Sequence, residues 1–185
     1  MNERRDPTLF QQVLGAAFYG VGAAVRRLHA IRGEGRVAGV ASIERGTGWL
    51  ARRCATLLRL PQPINDASTT LHVRASGASE SWRLVIGGHP VEAVLQCRGE
   101  LLQVRLPRLR LQCFPHVRDG AMWWQIVDVR LFGWLPLPAK LFDGVVYRER
   151  EWQGRYEFLI DAVVPVAGRV FRCEGWLASA AEFHH

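Results

Sequence analysis

LLQVRLPRLRLQCF, residues 101–114, is the stretch on which the fold turns. Leu102, Val104 and Leu106 alternate with polar neighbours, and Leu109, Leu111 and Cys113 resume the alternation one step out of phase. A period of two marks an extended strand with one buried face. The slip falls at Pro107-Arg108. A bulge there would keep the apolar face inward and bend one long strand, so a strongly curved sheet is expected.

The same period runs in both directions from this point. TTLHVRA (69–75) sets Leu71, Val73 and Ala75 against Thr70, His72 and Arg74. PVEAVLQCRG (90–99) and RYEFLIDAVVP (155–165) do likewise, the latter with Tyr156, Phe158, Ile160, Ala162 and Val164 on one face. The joints are short and rich in glycine: Gly87-Gly88, Arg98-Gly99-Glu100, Arg118-Asp119-Gly120, Gln153-Gly154 and Ala167-Gly168. Short joints favour antiparallel hairpins. Counting a strand at 36–45, the pattern predicts about eight or nine strands in one meander, and so long a sheet must curl. Leu95, Leu102, Val104, Leu111, Trp123, Phe158 and Ile160 are expected on its inward face.

Before residue 60 the period is helical. Asp6 reads as an N-cap and Pro7 as the first helical residue. Phe10, Val13, Leu14, Ala17, Phe18, Val21, Val25 and Leu28 form one stripe, which Gly20 and Gly22 break into two short helices. A further helix follows Thr47-Gly48 and is stopped by Pro61. The fold class is therefore α+β: a half-barrel or open barrel with short N-terminal helices packed on or across its concave side. Residues 1–183 read as a single domain, and His184 and His185 as remnants of an expression tag.

The chain has 185 residues and a net charge of +7. Lys140 is its one lysine, and the arginines are scattered, which reads as a solvated surface more than as a nucleic-acid stripe. The N-terminus MNERRDPTLF lacks the apolar core of a secretory signal, and no apolar run approaches the roughly 18 residues of a membrane span. A cytoplasmic location is expected, with Cys54, Cys97, Cys113 and Cys173 reduced and inert.

The order of motifs resembles the bacterial domain of unknown function 4166 family. It is carried by LFQQVLGAAF (9–18), LHA (28–30), GVASIERG (39–46), LPQP (60–63), SWRLVIGG (81–88), RDGAMWW (118–124), LFGWLPLPAKL (131–141), YREREWQGRYEF (147–158) and PVAGRVFRCEGWL (165–177). The resemblance implies a domain that stands alone or is appended to NAD(P)-type reductases, and it implies no established activity.

Catalytic signatures are sparse. There is no G-x-S-x-G or G-x-G-x-x-G, and the histidines are not at metal-ligand spacings, so no cofactor and no metal is expected. Glu149 and Glu151 share one strand face. General acid–base work is one reading, and a solvated face matched by Arg148 and Arg150 is the simpler one. His29, Arg45, Arg83 and Glu149 all fall inside the family motifs, and would make a costly buried arginine–carboxylate cluster if they converged. In AMWWQIVDVRLF (121–132) both Trp123 and Trp124 must be covered, which suits a pocket for a flat or greasy molecule. In VRLFGWLPLPAKLFDG (129–144), Pro136 and Pro138 forbid a central strand. Trp134 and Phe142 beside Lys140 would then form a stiff lip able to touch a membrane.

The expected function is a non-catalytic carrier of an apolar or amphiphilic small molecule, bound by His29, Arg45, Arg83, Trp123, Trp124, Trp134, Phe142 and Glu149. The alternatives are a module that docks on a separately encoded reductase, and an enzyme acting on a lipid-like substrate.

Overall fold

The computed structural model describes residues 6–179. Two short helices come first, α1 (Leu9–Leu14) and α2 (Ala23–His29), joined by a 3-10 turn over Gly15–Gly20. Then follow β1 (Gly33–Arg45), α3 (Trp49–Leu57), β2 (Ile64–Ser76), β3 (Ser79–Ile86), β4 (His89–Arg98), β5 (Leu101–Arg105) and β6 (Leu109–Arg118). The rest is β7 (Ala121–Leu131), β8 (Leu135–Leu137), a 3-10 turn over Ala139–Phe142, β9 (Val145–Trp152), β10 (Arg155–Val164) and β11 (Gly168–Ser179).

All neighbours pair antiparallel, in the order β6-β5-β4-β3-β2-β1-β11-β10-β9-β7, and β6 pairs back to β7. The meander is therefore a closed ten-stranded barrel, not the half-barrel or open barrel expected, and β8 is an extra strand on β7 alone. Closure follows from β1, which bonds β2 on one side and β11 on the other from Val37↔Ser179 to Arg45↔Phe171. A closed barrel leaves no long edge open to other chains. The seam is tight because Gly39 and Gly175 carry no side chain. A Cβ at either would collide with a carbonyl oxygen across the seam, of Trp176 or of Val40.

The strand count differs from the expectation in two places. Residues 101–114 are not one bulged strand. Pro107 and Arg108 are the two central residues of a hairpin turn closed by Leu106 N–H donating to Leu109 O at 2.8 Å. Proline pre-sets the backbone of such a turn and has no N–H to lose. The true bulge lies further on: Cys113 faces Ile126 and Gln112 faces Asp128, which leaves Val127 as the extra residue. The second addition is β8. Its prolines are tolerated because it is an edge strand of three residues. It lies beside the far half of β7, and β9 meets the near half only through Met122↔Glu149 and Trp123↔Arg148.

The first helix also starts later than expected. Its N-cap is Thr8, not Asp6, and the Gln11 carboxamide accepts from the Thr8 N–H at 2.9 Å. Helix α3 begins where expected, but it is stopped before Pro61 by Arg59 in the left-handed region. His184 and His185 lie outside the described residues.

The helices occupy the two ends of the barrel. Leu9 and Phe10 of α1 and Val25, Leu28 and His29 of α2 are buried in the core and plug one end. The plug is tied to β9 by Glu151, whose carboxylate accepts from the Ala24 N–H in the first turn of α2 at 2.6 Å. Helix α3 lies at the other end. It leaves β1, and its last carbonyl, on Leu57, accepts from Arg108 in the β5–β6 turn at 2.6 Å. Strands β1 and β6 are five places apart in a ring of ten, so α3 spans the mouth.

Candidate functional site

Inward alternation builds the site. Glu80, Trp82, Leu84 and Ile86 point inward from β3; Val145, Tyr147, Glu149 and Glu151 from β9; Tyr156, Phe158 and Ile160 from β10. Strands β3 and β9 are five places apart and so face each other across the barrel. His29, the last residue of α2, is inserted between them.

His29 Nε2 lies 2.5 Å from Glu149 Oε2, and the two side chains are 1% and 0% exposed. The contact is a short hydrogen bond between two fully buried side chains. The imidazole is held by rings: Phe10 at 3.8 Å between centroids, Trp82 stacked at 5.6 Å and Tyr156 edge-on at 6.4 Å. Trp82 Nε1–H donates to Glu80 Oε2 at 2.8 Å. Burial raises the Glu80 pKa above 4.5, against His29 and the Trp82 bond, which lower it; the charge of Glu149 adds to the rise. Tyr147 and Tyr156 stand beside Glu149 and each other. Burial first, and then the carboxylate, push both phenols well above their ordinary value, so they remain O–H donors. Glu149 Oε1, His29 Nδ1 and Trp124 Nε1 are buried with no hydrogen-bond partner among the described residues.

Above this polar cluster is an apolar cavity of about 210 Å³. Its floor is Trp82, Trp124, Tyr147 and Tyr156; its walls include Leu95, Leu111, Ile126, Phe158 and Ile160. Lining residues near the plug, such as Leu95, Trp124, Tyr156 and Phe158, are buried, whereas Val91, Leu106, Leu111, Val145 and Ile160 near α3 are half-buried. The cavity therefore opens at the α3 end. His29, Glu80 and Glu149 do not line it; they sit behind the floor.

The mouth is rimmed by exposed apolar residues: Trp49 and Leu57 on α3, Phe132, Trp134 and Leu135 at the β7–β8 turn, and Val166 at the β10–β11 turn. Trp134 is 69% exposed, Phe142 is half-buried, and Lys140, Arg52, Arg53 and Arg59 are exposed at the same end. The outer wall carries charge, including Arg148 and Arg150 on Glu157, and Arg169 and Arg172 on Asp161. An apolar inside and a charged outside reverse the plan of a membrane barrel. No described helix is long and apolar enough to cross a membrane.

The residues picked from sequence thus part company. His29 and Glu149 meet, but the buried partner of the carboxylate is the histidine and not an arginine. Arg45 pins the chain returning from α3, donating from Nε to Pro61 O at 2.7 Å. Arg83 is on the outer wall, 3.8 Å from Glu92. Trp124 lines the cavity. Trp123 points outward beneath Arg148, 5.7 Å from its ring, so its place in the inward set is corrected. The face of Glu149 and Glu151 is not solvated: their arginine neighbours turn out to Glu157, and the carboxylates turn in. Sequence reading missed Glu80, Trp82, Tyr147 and Tyr156. The signal was present in the shared parity of Glu80 with Trp82, Leu84 and Ile86, and of Tyr147 with Glu149.

A family model, Domain of unknown function (DUF4166), matches residues 22–177, from the N-cap of α2 through all but the last two residues of the barrel wall. No curated protein matches the chain.

Proposed function

The chain belongs to the DUF4166 family, and we propose that it is a non-catalytic binding protein for an apolar or amphiphilic small molecule held inside the barrel. The observation that carries this reading is the cavity, apolar on every wall and open at one end. Size sets the ligand. About 150 Å³ of apolar space accommodates one benzene ring, and drug-sized sites begin near 300 Å³. A cavity of about 210 Å³ suits a compact ring system, or the inserted end of a longer amphiphile.

The mouth favours transient contact with an anionic bilayer. Trp49, Trp134 and Leu135 offer apolar surface beside Arg52, Arg53 and Lys140, and such a pairing binds interfaces by burial plus charge. An enzyme acting on a lipid-like substrate would need its acid–base pair to face the ligand. His29 and Glu149 lie behind the tyrosines and tryptophans, which favours binding over turnover.

Native mass spectrometry of protein purified without detergent, followed by displacement of an apolar fluorescent probe, tests the reading. The expected result is a co-purified small molecule, or probe uptake with one site per chain. Protein that carries nothing and takes up no probe refutes it.

A further inference from the structure

The floor of the cavity has a specific hydrogen-bonding character. Of the side chains lining the cavity, only five can hydrogen-bond: Trp82, Trp124, Tyr147, Tyr156 and Cys113. The Trp82 N–H is already taken by Glu80. The Cys113 thiol is pushed up to about 12 by burial and stays neutral. That leaves the Trp124 N–H, which has no partner, and the oxygens of the two phenols, whose O–H groups are turned toward Glu149 and each other. Among the described residues no arginine, lysine or histidine lines the cavity, and His29, behind the floor, is committed to Glu149 at 2.5 Å. Behind the phenols, Glu149 Oε1 is a fully buried acceptor without a partner.

Resting on the reading of the barrel as a binding protein, we infer that the ligand enters polar end first and that this end is a neutral hydroxyl or carbonyl on a compact ring system, not a carboxylate. A hydroxyl donates to a phenol oxygen and can accept from the Trp124 N–H. A carbonyl oxygen accepts from Trp124. A carboxylate would be desolvated beside Glu149 with no cation to meet it, which is strongly unfavourable.

The test is calorimetric titration with naphthalene, 1-naphthol and 1-naphthoate, three probes that share one ring system and differ at one end. The expected order is naphthol tightest, by about three- to tenfold over naphthalene for one buried hydrogen bond, with naphthoate weakest. In Tyr147→Phe and Tyr156→Phe, which keep the rings, the preference of naphthol over naphthalene should shrink toward one in at least one variant. Naphthoate binding as tightly as naphthol overturns the inference, as does a naphthol preference untouched in the double Phe variant. In either case naphthalene still binds and the binding reading stands. If none of the three probes binds, both fall together.

Discussion

Removing Glu149 should be among the most damaging single changes this barrel can suffer, and the structure supplies the magnitude. Glu149 is 0% exposed and its Oε2 holds His29 Nε2 at 2.5 Å; His29 Nδ1 already lacks a partner. Glu149→Ala therefore strands an imidazole with neither nitrogen satisfied, under the floor of an apolar cavity. Breaking one side of a buried pair costs about 3–5 kcal/mol. For a domain of this length each kcal/mol lowers Tm by roughly 2–4 °C, so a fall of about 6–20 °C is expected. His29→Ala should cost a similar amount, because it strands the carboxylate instead. The double variant His29→Ala, Glu149→Ala should cost less than the sum of the two, by about 1–3 kcal/mol, the worth of one buried hydrogen bond. Urea unfolding of the four proteins, followed by tryptophan fluorescence, gives the coupling directly, since Trp82 stacks on His29. Strictly additive costs, or a Glu149→Ala midpoint within about 2 °C of the parent, would show that the pair contributes nothing and that the plug is held by packing alone.

Glu80 provides a pH signature. Its folded pKa is raised, so the folded state keeps a proton that the unfolded chain releases, and its contribution is present below the ordinary value of 4.5 and lost as pH rises through the folded pKa. Glu80→Gln keeps an acceptor for Trp82, so its stability should match the parent in acid and exceed it increasingly toward neutral pH; parallel curves refute the shift. Phe158→Ala, at a buried wall position, should cost about 3 kcal/mol, the low end for a buried phenylalanine because one face already borders a cavity, and should admit larger probes; an unmoved denaturation midpoint would mean that β10 presents its other face. Trp134→Ala with Phe142→Ala should lower flotation with anionic vesicles severalfold while shifting Tm by no more than a few degrees, and a large Tm drop with unchanged flotation would make the lip packing only.

How much of this was legible beforehand depended on which residues carried a period. Strands β2, β4 and β10 alternate cleanly, because one face meets the core and the other meets water, and their inward sets were read correctly. Closure was not legible: it rests on pairing the first strand with the last, and two glycines that permit a close approach look like any others in sequence. The β5–β6 hairpin was missed because a two-residue turn and a bulge produce the same slip in phase. On β7 two tryptophans are adjacent, so parity alone could not choose between them; the choice was made by Arg148, which lies on the neighbouring strand only because β9 follows the β8 detour. The site was half legible. Glu149 drew attention as a charge beside apolar residues, but a strand of alternating Arg and Glu reads as a solvated ladder until one knows which face is in.

The two ends of the barrel are built with different chemistry, and on the proposed binding reading the difference favours one route of exchange. The plugged end is closed by three polar ties: the buried pair His29 and Glu149, the Ala24 N–H to Glu151, and the Gly22 N–H to the Gly120 carbonyl at 3.0 Å. Opening it would expose Phe10, Val25 and Leu28 and desolvate nothing in return, so it belongs to the most stable part of the fold. The mouth is closed by little. Helix α3 has nine residues, about 13 Å of helix, and buries only Ala51 and Ala55 fully. Its far end is fastened by Arg108, whose guanidinium donates to Leu57 O while its own carbonyl accepts from the Phe132 N–H at 2.7 Å, and by Arg45, which donates to Pro61 O on the returning chain. Each of these hydrogen bonds is worth about 1 kcal/mol, so lifting the far end of α3 costs less than opening the plug. On the proposed binding reading, a ligand bound for the tyrosines would pass beneath α3 and beside the Trp134 lip, where Trp49, Leu57, Phe132 and Val166 are also exposed.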